Sequence, residues 1–147
     1  MSPDVEILIV EDNARDLELT MHALDKHHLG NQVVAVRDGA EAIDFLFASG
    51  QYAHRVVSEG PHVIFLDMKL PKVDGIEVLR QIKADERTRM IPVVMVTSSA
   101  QERDIQESYR LGANSYVVKP IDFDSFVKTI AELGFYWLAV NRPVTRS

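Results

Sequence analysis

The sequence has no cysteine among its 147 residues, so disulfide bonds, thiolate nucleophiles and cysteine-bound zinc are excluded. It also lacks any apolar stretch approaching the ~20 residues that a membrane-spanning helix requires. Basic residues are in the minority, since 16 lysines and arginines stand against 22 aspartates and glutamates, for a formal net charge of −6. A surface with this charge repels nucleic-acid backbones and anionic membranes. We therefore expect a cytoplasmic protein that binds neither nucleic acid nor a membrane.

What the sequence does contain is a series of five short apolar runs, rich in valine and isoleucine. They are Ile7–Val10, Val33–Val36, Val63–Leu66, Val93–Val96 and Tyr116–Val118. Short β-branched runs favour strands over helices, and almost uninterrupted apolar runs are typical of strands buried on both faces. Between the runs, apolar residues recur at helical spacing. This alternation predicts an α/β fold of the (βα)₅ type, with a doubly wound parallel sheet of five strands and helices on both faces.

The length and composition predict one domain. A chain of 147 residues that is 46% hydrophobic can form one proper core, and we expect it over residues 5–140 without an output domain. The terminal tails are residues 1–4 and 141–147. The longest connection, Ala48–Pro61, is predicted to be a surface excursion. Ser99 and Glu102 have the spacing of a capping box, which predicts that the fourth helix begins at Ser99.

Polar residues follow four of the five predicted strands where each strand ends. Glu11 and Asp12 follow the first strand, Asp67 the third, Thr97 the fourth and Lys119 the fifth. Because the carboxyl ends of parallel strands meet at one edge of a sheet, these side chains are predicted to converge there. Three close carboxylates repel one another, so either one is protonated or a cation lies among them. Oxygen ligands without histidine or cysteine favour Mg²⁺.

With a metal ion in place, the carboxylate of Asp67 is a candidate nucleophile of the aspartyl-phosphate type. Lys119 can contribute a positive charge to a transferring phosphoryl group, and the hydroxyl of Thr97 a hydrogen bond. Taken singly, Thr97 is more often a turn residue and Lys119 a solvated charge. The combination of these residue types at one edge favours the functional interpretation.

Four segments together resemble the conserved blocks of two-component receiver domains, in the family's order and spacing. They are Ile7–Asn13, Val63–Gly75, Val96–Ser99 and Tyr116–Pro120. The resemblance runs from about Val5 to Ile130, and it implies the flavodoxin-like strand order 2-1-3-4-5. It also implies a single-domain response regulator that is a signalling switch, not a classical enzyme, and that a histidine kinase phosphorylates.

The resemblance assigns roles to the residues at the sheet edge. It makes Asp67 the phosphoacceptor. It makes Glu11 and Asp12 ligands of Mg²⁺, together with Asp67 and the backbone carbonyl of Lys69. The positions of Lys69 and Ser99 match those that tune hydrolysis of the phosphoryl group. Neither residue offers an acid or amide to position water, so we expect a phosphoryl group that is not unusually short-lived.

Further roles concern the switch. Thr97 matches the switch hydroxyl, and Lys119 the lysine that contacts the phosphoryl group. Tyr116 matches the aromatic residue that turns inward with the threonine, although an ordinary edge-strand tyrosine is the alternative. The family commonly has a cis peptide before the proline, so Lys119–Pro120 is expected to be cis. The readout is expected on the surface of the fourth helix, fifth strand and fifth helix.

Two features resemble the small regulators paired with bacterial, including cyanobacterial, phytochromes. One is the insertion before the third strand, and the other is the aromatic ending. The ending comprises Phe135, Tyr136, Trp137 and Leu138, which we expect either to complete the core or to form a dimer or partner surface. The expected partners are a histidine kinase, of the phytochrome type if this resemblance holds, a downstream protein and a second copy of the chain.

Three other functions compete with this one. A phosphatase of the haloacid-dehalogenase type needs a second aspartate two residues after the nucleophile, where this chain has Lys69. A flavin or nucleotide site needs glycines or hydroxyls after the first strand to cradle phosphate, where this chain has Glu11 and Asp12. A receiver-like fold used only as a scaffold stays open, although all the phosphorylation residues are present.

Overall fold

The structure is a computed structural model that describes residues 5–29 and 32–144. Its strands are β1 (Ile7–Val10), β2 (Val33–Val36), β3 (Val63–Leu66), β4 (Val93–Thr97) and β5 (Ser115–Val118). Its α-helices are α1 (Ala14–Lys26), α2 (Gly39–Leu46), α3 (Gly75–Ala84), α4 (Glu102–Arg110) and α5 (Phe123–Phe135). The predicted tail at residues 1–4 lies outside the described residues, as do the last three residues, 145–147, of the tail predicted at 141–147.

The five strands form one parallel sheet in the order β2-β1-β3-β4-β5. The predicted fold class and strand order are therefore confirmed. The central strands β1 and β3 are buried at every position, as their unbroken apolar sequences predicted, because helices cover both faces of the sheet.

Alternate residues of each strand point to two separate apolar layers. Ile7 and Ile9 of β1 pack in the layer formed with α1 and α5, whereas Leu8 and Val10 pack in the layer with α2 and α3. Helix α4 contributes only Ser108 as a fully buried residue. Among the five α-helices, α4 therefore contributes the fewest buried residues to the core.

The capping-box prediction at the start of the fourth helix is wrong. Helix α4 begins at Glu102, and its N-cap Gln101 makes no side-chain capping bond. The hydroxyl of Ser99 instead donates to Oδ2 of Asp104 at 2.5 Å. A carboxylate is a stronger acceptor than a neutral group, so Ser99 remains in the loop between β4 and α4.

The insertion between α2 and β3 is held against α2. It contains two short 3₁₀ helices, Gly50–Tyr52 and Val57–Glu59. The hydroxyl of Tyr52 donates to Glu41 at 2.7 Å, and the guanidinium of Arg55 lies 3.6 Å from the centre of the Phe45 ring. The predicted surface excursion is thus an ordered cover on the second helix.

After α5 the chain continues as a π-helix over Tyr136–Val140. Within the part of the chain that the structure describes, no helix has both the length and the apolar character needed to cross a membrane.

Candidate functional site

The candidate site lies at the carboxyl edge of the sheet, where backbone pairing continues one residue beyond the strands. The amide of Glu11 donates to the carbonyl of Val36, and the amide of Asp67 donates to the carbonyl of Val10, both at 3.0 Å. The amide of Lys119 donates to the carbonyl of Thr97 at 2.8 Å. These bonds fix the backbones of the candidate residues side by side.

A single ammonium group lies at the centre of the site. Nζ of Lys119 is 2.6 Å from Oε1 of Glu11 and 2.9 Å from Oδ2 of Asp67. It is also 2.9 Å from Oδ2 of Asp16. The side chains of Lys119, Glu11 and Asp67 are 7–10% exposed, and that of Asp16 is 17% exposed. The structure therefore brings three of the predicted residues into direct contact and adds a fourth.

Asp16 did not stand out in the sequence because it belongs to a helix and not to a strand end. It lies in the first turn of α1, where its amide donates to Oδ1 of the N-cap Asn13 at 2.9 Å. The available signal was its position: the first turn of a helix that starts immediately after β1 stays close to the carboxyl edge of the sheet.

The charges at this site are unevenly balanced, because three carboxylates share one ammonium group. Burial raises the pKa of Glu11 to about 7, the hydrogen bond from Lys119 opposes this effect, and the charge of Asp67 adds to it. Burial alone would lower the pKa of Lys119, but the hydrogen bonds and charges of Glu11, Asp67 and Asp16 raise it above its ordinary value. Lys119 therefore keeps its proton, whereas the negative charge of Glu11 is only partly compensated.

The predicted metal ligands are only partly assembled. Asp12 and Lys69 are exposed at the same edge, and Nη2 of Arg37 donates to the backbone carbonyl of Asp12 at 2.8 Å. Over residues 5–29 and 32–144, no group of three or more histidine, aspartate and glutamate side chains is placed to hold a metal ion. Lys119 itself contacts the oxygens of Glu11 and Asp67. The ligand set stays a prediction.

The residues predicted to switch lie beside this cluster. Thr97 is completely buried, and its Oγ1 accepts from the amide of Ser99 at 3.5 Å. The hydroxyl of Tyr116 donates to the carbonyl of Ser99 at 2.9 Å. Burial raises the pKa of Tyr116, so this hydroxyl remains a donor. Tyr116 thereby connects β5 to the loop that follows β4.

Close packing supports the position of Asp67. A Cβ atom at Gly75 would lie 2.1 Å from the backbone oxygen of Asp67. The amide of Gly75 donates to the carbonyl of Met68 at 2.8 Å. Only glycine allows the start of α3 to come this near, so the loop after β3 folds back directly against the phosphoacceptor candidate.

The predicted cis peptide at Lys119–Pro120 is wrong for this structure, since no peptide bond among the described residues is cis. The trans form of a bond before proline is favoured by about 0.5–1 kcal/mol. In the trans form the side chain of Lys119 still contacts Asp67.

The aromatic ending divides into two parts. Phe135 and Tyr136 are 57% and 47% exposed. Trp137 and Leu138 are partly buried and pack against the layer between the sheet, α1 and α5. The core-completing alternative therefore describes Trp137 and Leu138, and the other two residues remain candidates for an interface.

The family model for the response regulator receiver domain matches residues 7–131. The chain therefore belongs to the response regulator receiver domain family.

Two relatives align over nearly the whole chain. The probable methanogenesis regulatory protein FilR2 of Methanothrix harundinacea is 40% identical over 136 residues, which are 92% of this chain and 85% of that protein. The response regulator Rcp1 of Synechocystis sp. is 36% identical over 137 residues, which are 93% of this chain and 91% of that protein. Both are named as regulators.

Solved structures point in the same direction. The phosphorylated cyanobacterial phytochrome response regulator RcpA has a TM-score of 0.90 at 36% identity, covering 97% of this chain and 100% of that one. The Mn²⁺-bound form of response regulator Rcp1 has a TM-score of 0.88 at 33% identity, covering 96% and 99%. The bacteriophytochrome response regulator RtBRR has a TM-score of 0.75 at 52% identity, covering 95% and 84%.

The chain is a receiver-domain response regulator of two-component signalling. The resemblance to phytochrome response regulators, expected from the insertion and the aromatic ending, is confirmed by these relatives.

Proposed function

We propose that Asp67 accepts a phosphoryl group from a histidine kinase and that this modification switches the protein between two states. The observation that carries the proposal is a nearly buried carboxylate paired with an equally buried ammonium group, Lys119, at 2.9 Å. A carboxylate oxygen of Asp67 attacks phosphorus, and the bond from phosphorus to the donor breaks with its electron pair left on the donor. Lys119 holds positive charge next to the oxygens that become negative.

We propose that a divalent cation binds at this edge, because the donor atoms there suit one. They offer only oxygen ligands, which suits a hard cation such as Mg²⁺. Around Lys119, carboxylates outnumber the ammonium group by three to one, so further positive charge is favourable there. The proposed ligands are Glu11, Asp12, Asp67 and the backbone carbonyl of Lys69. When bound, Mg²⁺ would offset the negative charge of the phosphoryl oxygens. The Mn²⁺-bound form of Rcp1 supports a divalent cation in a similar protein.

The switch follows from the charge that the modification adds. A phosphoryl group brings about −1.5 to −2 charges and three acceptor oxygens, which Thr97 and Lys119 would satisfy by moving or by drawing the loop after β4 inward. Thr97 is linked to Ser99, and Ser99 is linked to Tyr116. A movement of Thr97 would therefore displace Ser99 in the loop before α4 and change its hydrogen bond with Tyr116 of β5. We propose the surface of α4, β5 and α5 as the readout.

The same proposal covers partners and boundaries. We propose one receiver domain over residues 5–140, acting in the cytoplasm. The phytochrome response regulators among the similar structures favour a phytochrome-type kinase as the donor. A second copy or a downstream protein would bind at the exposed side chains of Phe135 and Tyr136. Because neither Lys69 nor Ser99 carries an acid or amide, the phosphoryl group should last longer than seconds.

The test is intact-mass analysis after incubation with acetyl phosphate and Mg²⁺. The wild type should gain one phosphoryl group, and the gain should be absent with a chelator present or in Asp67→Asn. Glu18→Gln, which removes an exposed carboxylate from α1, should react like the wild type. A wild type that is folded and loaded with Mg²⁺ but gains no mass would favour the scaffold function instead.

A further inference from the structure

Lys119 uses all of its hydrogen-bonding capacity within the site. An ammonium group has three N–H donors, and Nζ of Lys119 lies within 2.6–2.9 Å of one oxygen from each of three carboxylates. Two of these carboxylates, Glu11 and Asp67, are also the ones that the proposed function assigns to the cation and the phosphoryl group. The third, Asp16, has neither assignment.

The three contacts therefore differ in what happens to them during the reaction. Glu11 and Asp67 would share their oxygens between Lys119 and a bound cation, and phosphorylation would change the oxygen that Lys119 meets at Asp67. The contact with Asp16 does not have to change in either event. It is the one contact that can hold the ammonium group in place throughout.

Asp16 is well suited to hold another group because its own backbone is fixed. Its amide donates to Oδ1 of Asn13 at 2.9 Å, and its carbonyl accepts from the hydroxyl of Thr20 at 2.8 Å. These bonds tie Asp16 to the N-cap and the first turns of α1. The carboxylate of Asp16 is thus presented to Lys119 from a rigid helix end.

We propose that Asp16 is a positioning residue, which anchors the ammonium group of Lys119 beside Asp67 while the cation and the phosphoryl group occupy the other carboxylates. This inference rests on the proposed function and deepens it. The competing explanation is that Asp16 only supplies a favourable negative charge at the N-terminus of α1. That explanation requires no particular contact with Lys119.

The first test observes Lys119 directly and needs no phosphoryl transfer. The protein is labelled with ¹⁵N-lysine, which gives signals from its six lysines. The signal that is lost in Lys119→Met belongs to Lys119. In Mg²⁺ with beryllofluoride, the wild type and Glu18→Gln should show a Lys119 Nζ–H signal protected from exchange with water. Asp16→Asn should lose that protection. An unchanged signal in Asp16→Asn, or an unprotected Lys119 in the wild type, would overturn the proposal.

The second test separates positioning from simple charge. At saturating Mg²⁺, Asp16→Asn should slow phosphorylation by acetyl phosphate roughly tenfold, which is the scale of one charge-assisted hydrogen bond. In a Lys119→Met background the same substitution should change the rate by less than about twofold. Equal slowing in both backgrounds would show that Asp16 acts without Lys119. A wild type that forms no adduct would instead refute the proposed function, whereas the labelled-lysine signal would still report on Asp16.

Discussion

The carboxyl edge of the sheet and the C-terminal segment Phe135–Val140 depart from the ordinary distribution of side chains in opposite ways. At the sheet edge, charged groups are buried: the side chains of Asp67 and Lys119 are 10% and 8% exposed. In the C-terminal segment, apolar groups are exposed: Phe135 is 57% exposed and Val140 is 49% exposed. Charged residues are seldom buried unless paired, and large apolar residues in a contiguous exposed patch commonly mark an interface.

The difference teaches what kind of partner each region suits. The buried charges are largely satisfied by one another, but carboxylates are in excess, which suits a small cation. The exposed aromatic rings offer area and little charge, which suits another protein surface. In the proposed function, the chemistry of the switch and the binding of a partner therefore belong to different parts of the fold.

The largest effect is expected from removing the central cation of the sheet edge. Lys119→Met leaves Glu11, Asp16 and Asp67 without their shared partner, and breaking a buried ion pair from one side costs about 3–5 kcal/mol. Urea unfolding should show this loss of stability, and millimolar Mg²⁺ should restore more of it than it adds to the wild type. Lys128→Met, at an exposed position on α5, is the matched control. A loss equal to that of the control would mean that the carboxylates do not depend on Lys119.

A smaller effect is expected from the pH dependence of the same region. The pKa of Glu11 is about 7 in the folded protein and has its ordinary value of about 4.5 in the unfolded chain. The folded state therefore binds this proton more tightly, so the stabilisation is complete below about pH 4.5 and is lost as the pH rises through about 7. The loss should be at most about 3 kcal/mol.

Glu11→Gln should remove that decline and make the protein more stable than the wild type at neutral pH. Glu18→Gln should keep the decline. Urea unfolding at about pH 5 and about pH 8 measures both variants. A decline of the same size in Glu11→Gln would show that a different group titrates.

The smallest effects on stability are expected in the C-terminal segment, and they should differ between neighbours. Trp137→Gln should lower the free energy of unfolding by about 1–3 kcal/mol, because Trp137 packs against the core. Phe135→Gln should change it by less than about 0.5 kcal/mol but should shift sedimentation towards the monomer. If Phe135→Gln leaves sedimentation unchanged, the segment is not a dimer surface.

Most of the fold was predictable because it depends on local patterns. The apolar runs Ile7–Val10 and Val63–Leu66 are the strands β1 and β3 without any change of boundary. Side chains that follow such strands must reach the same edge, which is why Glu11, Asp67 and Lys119 could be grouped from sequence. Their convergence is a consequence of the topology.

What could not be predicted depends on contacts between distant side chains. Asp16 was missed because a carboxylate in the first turn of a helix is usually explained by the helix dipole. The start of α4 was misplaced because Ser99 bonds to Asp104 instead of capping the helix. The split within the aromatic ending was also hidden, since the sequence alone does not show that Trp137 turns to the core while Phe135 faces solvent.

The most direct test of the account locates the phosphoryl group itself. After reaction with acetyl phosphate and Mg²⁺, borohydride reduces an aspartyl phosphate to homoserine, and peptide mass mapping identifies the position. We expect homoserine at residue 67 and at no other aspartate, because among the described aspartates Asp67 alone is buried, follows a strand and contacts Lys119. Homoserine at residue 12 or 16 instead of residue 67 would contradict it.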